Sequence, residues 1–128
     1  MAAKKILVVD DEKMLTDMIK LNLDSSGDYE VLTLNSAKDI LRQVHTFEPD
    51  VILLDLIMPD IGGIEVCEML NKDPIGQKIP VIVLTAIEKD TDKLRAYKMG
   101  VVDYIVKPID VDSIIRAIEK ALSARKSD

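Results

Sequence analysis

The chain has 128 residues, one cysteine, one histidine and a formal net charge of −6 at pH 7. This length suits a single domain that buries its core without disulfides. The negative charge opposes sequence-independent binding to phosphate backbones, so we expect no direct nucleic-acid binding by this domain. No apolar run approaches the roughly 20 residues of a membrane helix, and no signal-peptide pattern opens the chain. We therefore expect a cytoplasmic protein without a membrane partner.

Short aliphatic runs alternate with helical patterns along the chain. The predicted strands are Ile6–Val9, Tyr29–Leu34, Val51–Leu54, Pro80–Thr85 and Val101–Val106. Strands this apolar are typical of a parallel sheet that is covered on both faces. Alternation of five such strands with helices predicts a three-layer, doubly wound α/β fold with right-handed crossovers.

The helices are predicted from the spacing of apolar residues. The first helix is predicted to bury one stripe, formed by Met14, Leu15, Met18 and Leu21. A Ser-x-x-Asp capping pattern at Ser36 predicts the start of the second helix. The third helix should end before Pro74, with a loop over residues 71–78.

The last two helices differ in apolar content. Glu88–Met99 is mostly charged, so few of its side chains can pack in the core, and we predict that this helix is mobile. The final helix should be capped by Asp110 and carry an apolar stripe as far as Leu122. We therefore assign residues 1–122 to one domain and residues 123–128 to a C-terminal tail or the start of a linker.

Charged and polar residues lie at the C-terminal ends of four of the five predicted strands. They are Asp10 and Asp11, Asp55, Thr85 and Lys107. The carboxyl ends of parallel strands share one edge of the sheet, where ligands bind in open α/β folds. Three carboxylates at one edge repel one another, and a hard divalent cation such as Mg²⁺ removes that repulsion. A single acid such as Glu12 or Asp60 is better explained as a helix cap or a solvated loop residue.

A carboxylate beside Mg²⁺ and a lysine can attack a phosphoryl group and hold it as an acyl phosphate. Asp55 is the best nucleophile because it stands alone after the central strand, whereas the pair Asp10 and Asp11 suits metal binding. Lys107 can balance phosphoryl charge, and the Thr85 hydroxyl can donate to a phosphoryl oxygen.

These motifs together resemble the receiver domain of two-component response regulators, of the chemotaxis response regulator type. The matching segments are Ile6–Glu12, Leu53–Pro59 with Gly62 and Gly63, Val83–Ala86, and Gly100–Pro108. The resemblance implies a flavodoxin-like fold with five helices and strand order 2-1-3-4-5. It also implies a phosphorylation-activated signalling switch rather than a metabolic enzyme.

The resemblance assigns roles to the residues at the strand ends. It implies that Asp55 accepts a phosphoryl group from a sensor histidine kinase or phosphotransfer protein. It implies Mg²⁺ ligation by Asp11, Asp55 and the backbone carbonyl of Ile57, with Asp10 acting mainly through water. Thr85 and Lys107 then contact the phosphoryl group.

The resemblance further implies a switch involving Thr85 and Tyr104, whose ring changes rotamer on activation, and a cis peptide bond before Pro108. The face formed by the fourth helix, fifth strand and fifth helix then regulates an effector domain or target protein, or forms a homodimer. By the same resemblance, the side chains two positions after Asp55 and Thr85 flank the path of a hydrolytic water. Here they are Ile57 and Ile87, which cannot orient that water, and this predicts a long-lived acyl phosphate.

Other interpretations account for fewer residues. Aspartyl-phosphate phosphohydrolases resemble this pattern but place a second Asp two residues after the nucleophile, where this chain has Ile57. A flavin carrier of the same topology would bind phosphate after the first strand, where Asp10 and Asp11 repel it. His45 is predicted to be a surface residue, and Cys67 a small core residue.

Overall fold

The computed structural model describes residues 2–126. The strands are β1 (Lys4–Val9), β2 (Tyr29–Leu34), β3 (Val51–Leu54), β4 (Val81–Thr85) and β5 (Asp103–Val106). The helices are α1 (Lys13–Asp24), α2 (Ile40–Phe47), α3 (Gly63–Lys72), α4 (Asp90–Lys98) and α5 (Val111–Lys126). All strands pair in parallel in the order β2-β1-β3-β4-β5, which confirms the predicted fold class and strand order.

The core consists of two layers, one on each face of the sheet. Alternate residues of β3 point to opposite faces because successive side chains of a strand alternate. Val51 and Leu53 pack with α1 and α5, and Ile52 and Leu54 pack with α2, α3 and the single buried residue of α4. Every residue of β3 is fully buried, as expected for a central parallel strand.

The β5 edge of the sheet is less firmly covered. Ala96 is the one buried residue of α4, and each residue of β5 is only partly buried. These observations confirm the prediction that few side chains of the fourth helix pack in the core. Both elements begin two residues later than their apolar patterns predicted, at Asp90 and Asp103.

The predicted buried stripe of α1 is half right, because Leu15 and Met18 pack partly buried against the core layer that contains Ile19 and Leu23, whereas Met14 and Leu21 do not. Met14 is 87% exposed and Leu21 is 71% exposed, whereas Thr16, Ile19 and Leu23 are buried. A helix with apolar residues on two sides offers two stripes, and the sheet covers the one with Ile19 and Leu23. Thr16 is tolerated there because its hydroxyl donates to the Lys13 carbonyl at 3.0 Å.

The predicted capping pattern of α2 is wrong. Ser36 Oγ accepts a hydrogen bond from the backbone N–H of Lys38 at 3.2 Å, and the helix begins four residues later, at Ile40. A serine hydroxyl that bonds two residues ahead stabilises a turn, which competes with a helix start. The predicted loop over residues 71–78 contains the end of α3 and a turn of 3-10 helix, Gly76–Lys78.

The start of α5 agrees with the prediction, and its end lies further along the chain than predicted. The Asp110 carboxylate accepts a hydrogen bond from the backbone N–H of Asp112 at 2.9 Å, which confirms the predicted cap. The helix continues to Lys126, beyond Leu122, and residues 127 and 128 lie outside the described residues. None of the helices between residues 2 and 126 is long and apolar enough to cross a membrane.

Candidate functional site

Backbone hydrogen bonds fix the residues that follow the strands. The N–H of Asp10 donates to the Leu34 carbonyl at 3.0 Å, and the N–H of Asp55 donates to the Val9 carbonyl at 3.0 Å. Lys107 donates in the same way to the Thr85 carbonyl at 2.8 Å. The sheet ladder therefore continues through these three predicted site residues and fixes their backbone positions.

Three carboxylates meet at this edge of the sheet. Asp10, Asp11 and Asp55 each offer an oxygen, and these atoms lie within 4.8 Å of one another. Asp10 is fully buried and Asp55 is 4% exposed, whereas Asp11 lies at the surface. Among the described residues, the buried Asp10 Oδ2 has no hydrogen-bond partner of good geometry. An oxygen-only set that includes a buried oxygen without a hydrogen bond fits a hard divalent cation such as Mg²⁺.

The ammonium group of Lys107 lies among the acids. Its Nζ is 2.9 Å from Asp10 Oδ2, 2.8 Å from Glu12 Oε1 and 3.4 Å from Asp55 Oδ2. The contact with Asp10 is an ion pair whose angle does not make a hydrogen bond. Only 14% of the Lys107 side chain is exposed, so its charge acts where water screens it weakly.

The electrostatics of the site are set by burial and by these contacts. Burial raises the pKa of Asp55, and the neighbouring charge of Asp10 raises it further, against hydrogen bonds from Ile57 and Lys107. Burial lowers the pKa of Lys107, but the contacts with Glu12, Asp10 and Asp55 outweigh burial and raise the pKa above its usual value. Lys107 therefore stays protonated beside a carboxylate whose negative charge is only partly compensated.

Glu12 lies closer to this chemistry than the sequence predicted. It occupies the cap position of α1, but its side chain makes no capping hydrogen bond and reaches Lys107 instead. The predicted cap position and solvent exposure of Glu12 are confirmed, since 60% of its side chain is exposed, but its contact with Lys107 was not predicted. The available signal was its residue type, because Asp, Asn, Ser and Thr are the preferred caps and Glu is not among them.

Thr85 and Tyr104 are connected through one residue of the β4–α4 loop. The fully buried Thr85 accepts a hydrogen bond at Oγ1 from the Ile87 N–H at 3.4 Å, and the Tyr104 hydroxyl donates to the Ile87 carbonyl at 2.7 Å. The Nζ of Lys93 in α4 lies 5.8 Å from the centroid of the Tyr104 ring. Burial, followed by the charges of Asp92 and Asp55, raises the pKa of Tyr104.

The β3–α3 loop arranges the surroundings of Asp55. The N–H of Ile57 donates to Asp55 Oδ1 at 3.1 Å, and the Ile57 side chain is 55% exposed beside it. A Cβ at Gly63 would lie 2.6 Å from the Asp55 carbonyl oxygen and 2.5 Å from Leu56 Cα, so only glycine fits there. The peptide bond between Lys107 and Pro108 is cis, as predicted.

Comparison with known proteins identifies the family. The family model of the response regulator receiver domain matches residues 6–119. The chain belongs to this family. The match spans all the strand-end residues described above, and the predicted resemblance to this family is confirmed.

Similar proteins support this assignment. The receiver domain is 37% identical over 118 residues to the alkaline phosphatase synthesis transcriptional regulatory protein PhoP of Bacillus subtilis (strain 168), covering 90% of this chain and 48% of that protein. This chain thus spans about half the length of that relative. The Francisella response regulator 1452 receiver domain is 30% identical, with a TM-score of 0.85, and 94% of this chain and 98% of that chain are covered. A CheY-like receiver domain protein from Methanospirillum hungatei JF-1 is 25% identical, with a TM-score of 0.90 and 98% of each chain covered.

Cys67 and His45, which were not predicted to belong to the site, lie apart from these contacts. Cys67 is buried in the core, as predicted, and this burial raises the pKa of its thiol to about 11. His45 is half-exposed, and its Nε2 lies 2.7 Å from Asp73 Oδ1. Asp73 also accepts from the backbone N–H groups of Ile75 and Gly76. The histidine thus braces the turn after α3.

Proposed function

We propose that this receiver domain is a phosphorylation-driven switch in which Asp55 is the phosphoryl acceptor. The observation that carries the proposal is the position of the buried Asp55 carboxylate, which lies 3.4 Å from the Lys107 ammonium and within the three-acid group. Asp55 is the one acid of this group that follows the central strand β3. A nucleophile held on a rigid strand is pre-positioned for phosphoryl transfer, in which positioning and charge provide most of the catalysis.

The transfer step follows from the residues present. An Asp55 carboxylate oxygen forms a bond to phosphorus as the bond between phosphorus and the donor's imidazole nitrogen breaks, and that electron pair returns to the imidazole. Asp10, Asp11 and Asp55 would hold Mg²⁺, with the Ile57 carbonyl as a further predicted ligand, and the ion would neutralise charge on the phosphoryl oxygens. Lys107 and the Thr85 hydroxyl would contact the same oxygens.

The donor in this proposal is the phosphohistidine of a sensor histidine kinase or phosphotransfer protein, in the cytoplasm. We assign no metabolic substrate to the domain, which would catalyse only its own phosphorylation and dephosphorylation. Ile57 supports this assignment, because an aliphatic side chain two residues after Asp55 cannot supply the proton that a dedicated phosphohydrolase needs.

The test is phosphorylation by acetyl phosphate with Mg²⁺, followed by intact mass spectrometry. The wild-type chain should gain the mass of one phosphoryl group, and Asp55→Asn should fold but gain none. Asp60→Asn is the matched control, because it removes an exposed acid from the same loop. Labelling of Asp55→Asn at the wild-type rate would refute the assignment of the acceptor.

We further propose that the signal leaves through the face formed by α4, β5 and α5. The chain of contacts from Thr85 through Ile87 to Tyr104 leads from the strand ends to this face. A phosphoryl group that draws Thr85 inward would change the place of the Tyr104 ring and shift the weakly anchored α4. Exposed apolar side chains on or next to α4, Leu94, Tyr97 and Val102, suit a partner there.

The occupant of this face would be an effector domain, a target protein or a second copy of the chain. Beryllofluoride, which mimics the phosphoryl group, should shift amide signals at Tyr104 and along α4 as well as around Asp55. Light scattering of the same samples distinguishes a dimer from a monomer, and a monomer would indicate that the partner is an effector domain or a target protein. If the amide signals of α4 and β5 stay unchanged while those around Asp55 move, the proposed coupling is wrong.

A further inference from the structure

Glu12 makes a contact that helix stability does not explain. Its backbone carbonyl accepts the N–H groups of Leu15 and Thr16 at 3.1 Å each, and its own N–H donates to Asp10 Oδ1 at 2.9 Å. The backbone is therefore fixed at the start of α1, while the side chain leaves the helix and reaches Lys107. Ion pairs with an exposed partner contribute little to stability, so this contact is better explained by the site.

The number of partners around Lys107 matches its chemistry. A lysine ammonium has three N–H donors, and the Nζ of Lys107 lies within 3.4 Å of three carboxylates. Two of these, Asp10 and Asp55, belong to the acid group that fits Mg²⁺, whereas Glu12 does not. In the metal-free site the ammonium therefore occupies carboxylates that a metal ion needs.

We infer that Glu12 is a positioning residue for Mg²⁺ binding: it retains the Lys107 ammonium when the metal takes over Asp10 and Asp55. A cation that claims those two carboxylates weakens two of the three ion pairs of Lys107. Without Glu12, the ammonium would then be left partly buried and unpaired, or it would compete with the metal for the same oxygens. Either consequence weakens metal binding.

This inference rests on the proposed Mg²⁺ site, and substitution of Glu12 by Asp isolates it. Aspartate keeps the charge but is one methylene shorter, so it cannot reach Lys107 from the fixed start of α1. Aspartate is also a favoured cap, so Glu12→Asp should not destabilise the helix. A change in Mg²⁺ affinity would then come from the lost contact with Lys107, and not from lost charge or lost folding.

The experiment is calorimetric titration of the full chain with Mg²⁺ alone, in the absence of phosphodonor. Glu12→Asp should weaken Mg²⁺ binding about fivefold, the scale of one modest ion pair. In the Lys107→Ala background, the same substitution should change the affinity less than twofold, because no ammonium remains to be retained. Asp17→Asn, which removes a 57% exposed carboxylate from the same helix, should leave the affinity of the wild-type background unchanged.

Three results would overturn the inference. Wild-type affinity of Glu12→Asp shows that the contact has no role, and this comparison decides the matter even if Lys107→Ala does not fold. An equal loss in both backgrounds shows that Glu12 acts on the metal directly. Failure of the wild-type chain to bind Mg²⁺ overturns the metal site itself. That result differs from the first one, in which the wild-type chain and Glu12→Asp bind Mg²⁺ with the same affinity.

Discussion

The central strands and the β5 edge of this receiver domain are anchored very differently. Every residue of β3 is fully buried, with packed helices on both faces. At the β5 edge, α4 buries Ala96 alone, and Leu94 on the same helix is 56% exposed. The two regions meet at the strand ends, where β3 leads to Asp55 and β5 leads to Lys107.

This difference separates the place of the proposed chemistry from the place of the proposed response. Phosphoryl transfer requires fixed positions for Asp55 and its neighbours, and buried strands provide them. A response requires an element with two arrangements of similar free energy, and few buried contacts make such an element. One small sheet thus contains a firmly packed region and a loosely packed region side by side.

The largest expected effect tests this difference in anchoring. Leu53→Ala should lower the free energy of unfolding by about 2–5 kcal/mol, because it leaves a cavity beneath a fully buried strand. Leu94→Ala, at an exposed site on α4, should stay within about 0.5 kcal/mol of wild type. Urea denaturation measures both. Equal losses for the two variants would show that α4 is anchored as firmly as β3.

The second effect concerns the acids at the strand ends. Without metal, like charges on Asp10, Asp11 and Asp55 raise the free energy of the folded state. Mg²⁺ bound only by the folded state stabilises it by about 2.7 kcal/mol at 100 times the dissociation constant. Thermal unfolding with Mg²⁺ and then with excess chelator should show this difference, and Asp11→Ala should remove most of it. An unchanged Mg²⁺ response in Asp11→Ala would argue against the acid group as the metal site.

The third effect concerns the lifetime of the acyl phosphate. Ile57 and Ile87 offer no group that hydrogen-bonds a hydrolytic water, so Ile57→Asn and Ile87→Glu should each accelerate decay with Mg²⁺ present. A factor of about 10 corresponds to about 1.4 kcal/mol of activation free energy. Intact mass after removal of acetyl phosphate gives the rate. Ile57→Val is the control, because it keeps an aliphatic side chain, and unchanged decay in the polar variants would show that these positions do not affect hydrolysis.

The smallest effect concerns Tyr104 in the absence of phosphate. The Lys93 ammonium near the ring contributes roughly 0.5–1 kcal/mol to the observed position of the ring. Lys93→Met should therefore increase the ring's motion, as seen in the tyrosine ring signals of the NMR spectrum. Lys98→Met on the same helix should not. If both variants match wild type, the hydroxyl contact with Ile87 holds the ring without help from Lys93.

Much of the fold follows from the sequence because the strands are short, aliphatic and separated by clear helical patterns. The convergence of Asp10, Asp55 and Lys107 follows from the same patterns, since parallel strands end at one edge; their roles in catalysis stay predictions. The edges of the α1 stripe were not predictable, because the exposed Met14 and Leu21 are the same residue types as Met18 and Leu23, which pack against the core. Apolar spacing alone cannot choose between two sides of one helix.

The contact between Glu12 and Lys107 was hidden for a different reason. The two residues are 95 positions apart in the chain, and their meeting depends on side-chain direction at the end of β5 as well as on strand order. A charged residue at a loop has many possible partners, and residue type alone does not select one. Long-range contacts between flexible, partly exposed side chains are therefore the least predictable part of this site.

Gly63 limits how this chain could be redesigned. Its neighbour Gly62 has only Glu65 Oε1 near a hypothetical Cβ, at 3.8 Å, whereas a Cβ at Gly63 would collide with the backbone that carries Asp55. In a library randomised at both positions and selected for phosphorylation, position 62 should accept many residues and position 63 should return glycine. A biosensor built on this domain should therefore place its fluorophore attachment at the first glycine and leave the second untouched.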